Sequence, residues 1–146
     1  MDLVTDKPGQ PPLVWEWLNK RNHIPWSSDL RTIGLMRSDG TVAAAVGYAN
    51  WTRESCFMHV AFDSPHSLTR QLLRAAFKYP FQDCGKSVVY ALIDDQNEDS
   101  LRLVRKLGYR EILRTVDSVM FEMTADECRW IKEKEHGKER RFASST

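Results

Sequence analysis

The chain has 146 residues, 42% hydrophobic and 28% charged, with 21 basic against 20 acidic side chains and a net charge of +1. A chain of this length buries roughly 70% of its unfolded surface, enough for one core, so a single domain over residues 1–146 is expected. The charge balance argues against a sequence-independent nucleic-acid binder, and no run approaches the ~20 apolar residues of a membrane span.

The start MDLVTDKPGQPP lacks a basic-then-apolar leader, so the cytoplasm is the expected location. Residues 1–12, with Pro8, Gly9, Pro11 and Pro12, read as an irregular arm. Residues 13–22 suit a short helix with Leu13, Trp17 and Leu18 inward, ended near Pro25. A strand over LRTIGLMRS, the hairpin signal Asp39-Gly40, and a return strand TVAAAVGYANW follow. A third strand, CFMHVAF, completes an antiparallel meander.

Residues 67–79 then place Leu68, Leu72, Ala75, Ala76 and Tyr79 on one helical stripe. SVVYALI is a near-continuous apolar run, the pattern of a strand covered on both faces. NEDSLRLVRKLG is a helix with Asn97 at its cap, Glu98 and Asp99 in the first turn, basic residues in the last and Gly108 as its stop. Two strands, YREILRT and SVMFEM, precede a terminal helix capped by Thr124, and the mixed-charge tail from about residue 136 is expected to be disordered. The order implies an α+β domain: a mixed, mostly antiparallel sheet with a central parallel strand pair, flanked by helices. Cys56, Cys84 and Cys128 show no metal-ligand spacing and read as buried free thiols, so no metal is expected.

Asn97, Ser100, Gly108 and Tyr109 match the Asn-x-x-Ser/Ala, seven residues, Gly-Phe/Tyr signature of the GNAT acyl-coenzyme A transferases. The order of elements from about Thr32 to Met123 resembles the same family. The resemblance implies an N-acyltransferase that moves an acetyl or related group from acetyl-CoA to an amine by direct attack in a ternary complex. It also implies a V-shaped gap between CFMHVAF and SVVYALI. There the pantetheine arm would pair with backbone of Val60, Ala61 and Phe62, and the pyrophosphate would rest on amides at the following helix start.

The chain departs from the family pattern twice. The usual Arg/Gln-x-x-Gly-x-Gly/Ala loop is replaced by DSPHSLTR, so Ser67, Leu68, Thr69 and Arg70 are the expected pyrophosphate contacts, beside His66 at the rim; the plain alternative is that Ser64 or Ser67 caps a core helix. The Tyr that many members use as acid toward the leaving thiolate is Val104 here, while Tyr109 reads as core.

His59 and Glu54 are the candidate bases, against a core histidine and a turn carboxylate as plain alternatives. Asp117 near the last hairpin either faces the acceptor or stabilises a turn, and Trp15, Trp17, Trp26 and Trp51 are candidates to shape the acceptor pocket or to pack. The ending ECRWI and the altered loop look most similar to small GNAT-like proteins of phages and prophages. A catalytically degenerate domain that binds coenzyme A or a protein partner is the alternative function, and a homodimer is left open.

Overall fold

The structure is a computed structural model and describes residues 1–132. The tail expected to be disordered lies outside those residues. Part of the N-terminal arm proves ordered: Asp2–Val4 form β1, an edge strand antiparallel to β2 (Arg31–Met36), with Leu3 opposite Leu35. Three residues are too few to show strand alternation in sequence, and only the neighbouring strand makes them one.

Farther along the arm, Asp6 holds the start of α1 (Leu13–Asn22). Its carboxylate accepts the amides of Val14 (3.0 Å) and Trp15 (2.9 Å) and the Thr32 hydroxyl (2.8 Å). These amides are donors a helix leaves unsatisfied, at its positive end. That anchor turns Val14 and Leu18 onto the sheet and leaves Leu13, expected inward, 56% exposed, with Trp17 half-buried. Gly34 and Gly47 make room beneath: a Cβ at either would stand 2.9 Å from Val14 Cγ2 or 2.7 Å from Leu18 Cδ2.

Strands β2, β3 (Val42–Ala49) and β4 (Ser55–Phe62) form the expected antiparallel meander. The next helix, α2 (Arg70–Lys78), begins three residues later than its apolar pattern suggests, because a tight turn over Pro65–Ser67 comes first. Its buried stripe is Leu72, Leu73, Ala76 and Phe77, and it gives way to a wider turn at Tyr79–Asp83, where Pro80 lacks an N–H. Strand β5 (Val88–Asp94) leads to α3 (Glu98–Leu107), capped by Asn97 and closed by Gly108 at φ 111°. Strands β6 (Arg110–Arg114) and β7 (Ser118–Thr124) complete a sheet ordered β1-β2-β3-β4-β5-β7-β6, in which only β4 and β5 are parallel neighbours.

The terminal helix does not form over residues 125–132, which make turns. Trp130 Nε1 donates to the Leu107 carbonyl (2.9 Å) and Arg129 to that of Lys106 (2.7 Å), so acceptors left open at the end of α3 outweigh the local helical pattern.

Helices α2 and α3 cover one face of the sheet, over Leu35, Val46, Met58, Val89 and Phe121, while α1 covers part of the other, over Ala45 and Ala61. Strand β5 is therefore not covered on both faces as its composition suggests: Val89 and Ala91 are buried, but Leu92 is 49% exposed. Cys56 and Cys128 are buried as expected, whereas Cys84 is only half-buried, and burial pushes the Cys56 thiol up to about 12.

Candidate active site

Parallel strands β4 and β5 are paired only at Ser55–Val88, Cys56–Val89 and Phe57–Tyr90. Beyond that point residues 58–62 and 91–94 run on without a ladder between them, and the sheet opens. On its other side β4 stays paired to β3 in continuous register. The Asp63 amide donates to Ala43 O (3.0 Å), which fixes the alternation: Ala61 with Ala45 and His59 with Gly47 exchange backbone bonds. The N–H and C=O groups of Val60 and Phe62 and the Met58 carbonyl therefore turn toward the gap, while the Met58 amide is spent on the last rung of the β4–β5 ladder. Ala61 was expected to offer backbone there, but its polar groups are spent on β3, and only Val60 and Phe62 of the expected three face the opening.

A cavity of about 400 Å³ fills the vertex, with Met58 and His59 of β4, Ala91 and Leu92 of β5, and Ser100 and Val104 of α3 among its walls. A second, of about 240 Å³, continues along Val60, Ala61 and Phe62 toward Asp99. The two share Arg21, Asn22, Val60, Ser100 and Leu103. At this shared wall Asn22 Nδ2 donates to Val60 O (3.0 Å), so the end of α1 occupies a β4 acceptor that faces the gap. Neither Asn22 nor its neighbours carried a sequence signal; the polar run at the end of α1 looks like any solvated helix end.

His59 lies in the cleft, and burial lowers its pKa below the usual 6.5. It has no hydrogen-bond partner among the described residues, so its ring nitrogens are available, and its surroundings favour the uncharged imidazole. Glu54 is not brought to it. It sits in the turn before β4, roughly 16 Å along the strand at ~3.3 Å per residue. There its carboxylate accepts the Ser87 hydroxyl (2.8 Å), and its carbonyl accepts the amides of Ser87 and Val88.

The loop after β4 divides the expected phosphate contacts. Ser67 is buried, and its hydroxyl donates to Asp63 Oδ1 (2.7 Å), while Arg37 holds the other carboxylate oxygen of Asp63 at 2.5 Å. These two bonds, the Ser67 one foremost, hold the Asp63 carboxyl below the usual carboxylate range. The amides of Ser67 and Leu68 are used within the turn, bonded to Ser64 O and Pro65 O. Thr69, and neither Ser64 nor Ser67, caps α2 by accepting the Leu72 amide (3.1 Å). The Arg70 side chain is exposed, and the Arg70 and Gln71 amides at the positive end of α2 have no partner among the described residues.

Across the gap Asn97 and Ser100 both line the cleft. Asn97 Oδ1 accepts the Ser100 amide (3.1 Å), and the Ser100 hydroxyl has no partner among the described residues. Val104 is buried in the cavity wall, and no hydroxyl stands at its position. Tyr109 forms part of the floor; its hydroxyl donates to Met58 Sδ (3.4 Å), its ring packs on Phe77, and burial raises its pKa. Asp117 accepts the Thr115 and Ser118 hydroxyls within its own turn. None of the four tryptophans lines either cavity: Trp15 packs edge-on to Trp26, Arg21 stacks on Trp17, and Trp51 meets Tyr48 and Tyr79.

This architecture recurs among solved structures. A chimera of the spermidine N-acetyltransferase SpeG from Vibrio cholerae and hSSAT superposes with a TM-score of 0.70 at 15% identity, over 90% of this chain and 100% of that one. The N-acetyltransferase PseH of Campylobacter jejuni superposes at 0.58, with 14% identity, over 76% of this chain and 77% of its own. The chain has the GNAT fold. PseH in complex with acetyl coenzyme A superposes at 0.56, with 15% identity over the same shares. No protein-family model and no curated protein matches the sequence. Within the GNAT fold, the divergence of β4 and β5 and the cap of α3 at Asn97 fall where the sequence signature implies them.

Proposed function

We propose that this GNAT-fold protein is an N-acyltransferase that moves an acetyl or related acyl group from acetyl-CoA to an amine in a ternary complex. The observation that carries the reading is the opening of the sheet beside a half-buried His59 whose pKa is lowered by desolvation. The Met58 carbonyl and the backbone groups of Val60 and Phe62 suit the amides and carbonyls of a pantetheine arm, which takes the Val60 carbonyl over from Asn22. At the outer end Arg70, the Thr69 hydroxyl and the first amides of α2 hold the phosphates. Ser67 does not join them, because its hydroxyl is committed to Asp63.

Acetyl-CoA supplies an activated acyl group as a thioester. His59 accepts the proton that the amine loses as its nitrogen bonds to the thioester carbonyl carbon, directly or through one water. Backbone N–H groups that face the gap stabilise the carbonyl oxygen as it gains charge. As the C–S bond breaks, its electron pair leaves with sulfur, and the Ser100 hydroxyl or solvent returns a proton to it. Glu54 takes no part in this scheme.

Thermal unfolding with excess acetyl-CoA tests the reading. A ligand at 100 times its Kd stabilises the folded state by about 2.7 kcal/mol, a readily visible shift in Tm. Stabilisation together with thiol release on adding amines supports the enzyme. Stabilisation without release by any amine points to a coenzyme A-binding domain that has lost catalysis, and no shift removes the coenzyme A site.

A further inference from the structure

One half of a sheet face is left bare. Helix α1 lies over β2, β3 and β4, and among the described residues no helix lies over the same face of β5, β7 and β6. The register sets out what that surface presents. One row crosses the strands as Phe57, Tyr90, Glu122 and Arg110; the next runs through Leu92, Met120 and Leu113. His59 follows Phe57 on this face of β4, so the second row leads away from the imidazole. Leu92 is 49% and Leu113 55% exposed, high for side chains of their size. His59 and Leu92 also line the cavity, so the bare surface and the cleft are continuous.

We propose that this half-face is the acceptor seat and that it takes a primary amine carried on an apolar or aromatic body, in preference to a linear polyamine. The inference rests on the acyltransferase reading above. A polyamine places several ammonium groups along its length and needs unpaired carboxylates to meet them. Here Glu122 is paired with Arg110 at 2.5 Å. Asp94, one oxygen of which accepts the Gln96 amide at 2.8 Å, is the single carboxylate lining the His59 cavity among the described residues, enough for one ammonium and too few for several. What remains beside His59 is a floor of Tyr90, Leu92, Met120 and Leu113, which rewards burial of apolar surface. The same floor disfavours the charged form of a bound ammonium, which brings the amine toward the neutral state that attacks.

The test compares 2-phenylethylamine with spermidine, reading thiol release from saturating acetyl-CoA and, separately, amine binding by calorimetry in the presence of coenzyme A. The expected kcat/KM is at least tenfold higher for 2-phenylethylamine. Leu92→Asp, at a half-exposed position, is expected to lower it tenfold or more, mainly through KM, with the acetyl-CoA-induced rise in Tm retained. Leu113→Asp, at the exposed edge strand, does the same to a smaller degree and guards against a folding defect in the first variant.

Preference for spermidine, or unchanged kinetics in both variants, overturns the assignment. So does a concentration-dependent dimer in sedimentation that Leu92→Asp dissociates, since a second copy would then cover the face. Binding of 2-phenylethylamine that is lost in Leu92→Asp, without turnover, upholds the seat and faults the catalytic reading alone.

Discussion

The Asn22 carboxamide at the end of α1 donates to the Val60 carbonyl at 3.0 Å, on the β4 side of the opening between β4 and β5. That carbonyl is one of the few backbone acceptors aimed into the gap, so a pantetheine arm that pairs with it must displace the side chain. Exchanging one hydrogen bond for another leaves a net difference of about 0.5–1.5 kcal/mol. Asn22→Ala should therefore tighten coenzyme A binding by up to about tenfold, measured by calorimetry. Unchanged or weaker binding would mean that the arm avoids Val60 or that Asn22 itself holds it.

His59 makes two predictions that share one sign. Burial holds its folded-state pKa below 6.5, so the acid limb of kcat/KM should have its midpoint under that value. The unfolded chain binds the proton more readily, so stability is complete above pH 6.5 and falls as the pH drops through the folded-state pKa. His59→Gln should flatten that slope and reduce kcat by about 10²–10⁴-fold with little change in coenzyme A affinity. An unaltered kcat would exclude His59 as the base.

Ser67 and Arg70 should part company. Arg70→Ala removes an exposed cation at the start of α2 and is expected to weaken coenzyme A binding about tenfold or more, with Tm nearly unchanged. Ser67→Ala removes the bond to Asp63 and is expected to cost about 1–2 kcal/mol of stability, with binding of the ligand little altered. Denaturant titration and calorimetry of both variants check the pair. A binding defect in Ser67→Ala would place its hydroxyl at the phosphates after all.

Gly47 tests how α1 is seated. A methyl there would stand 2.7 Å from Leu18 Cδ2, so Gly47→Ala should cost about 1–3 kcal/mol through overpacking. Because α1 also carries Asn22, the shift should weaken the Asn22 bond to Val60 as well. Chemical denaturation measures the first effect and coenzyme A titration the second. Full stability would show that Leu18 repacks freely.

Periodicity, turn residues and caps carried most of the fold, because each is a local property. The Asn97 cap, the Gly108 stop and the Asp39-Gly40 hairpin stand where their residue types demand. The misread elements share a different cause. Strand β1 exists through its pairing with β2, Leu13 turns outward because Asp6 anchors the next two amides, and residues 125–132 bond the end of α3 instead of coiling. Each was decided by a partner distant in sequence.

The candidate site divides along the same line. The sequence by itself determined the order of elements, the signature from Asn97 to Tyr109 and the loss of the phosphate-loop glycines, since these depend on residue identity and spacing. Only the tertiary structure decided that Ser67 is tied to Asp63, that Glu54 faces Ser87 instead of the cleft, and that Ala61 spends its backbone on β3. It alone set Asn22 on the Val60 carbonyl and, among the described residues, left β5 without a helix over one face. Hydrogen-bond capacity is written in each residue, but the partner that takes it up is set by which strands and helices meet.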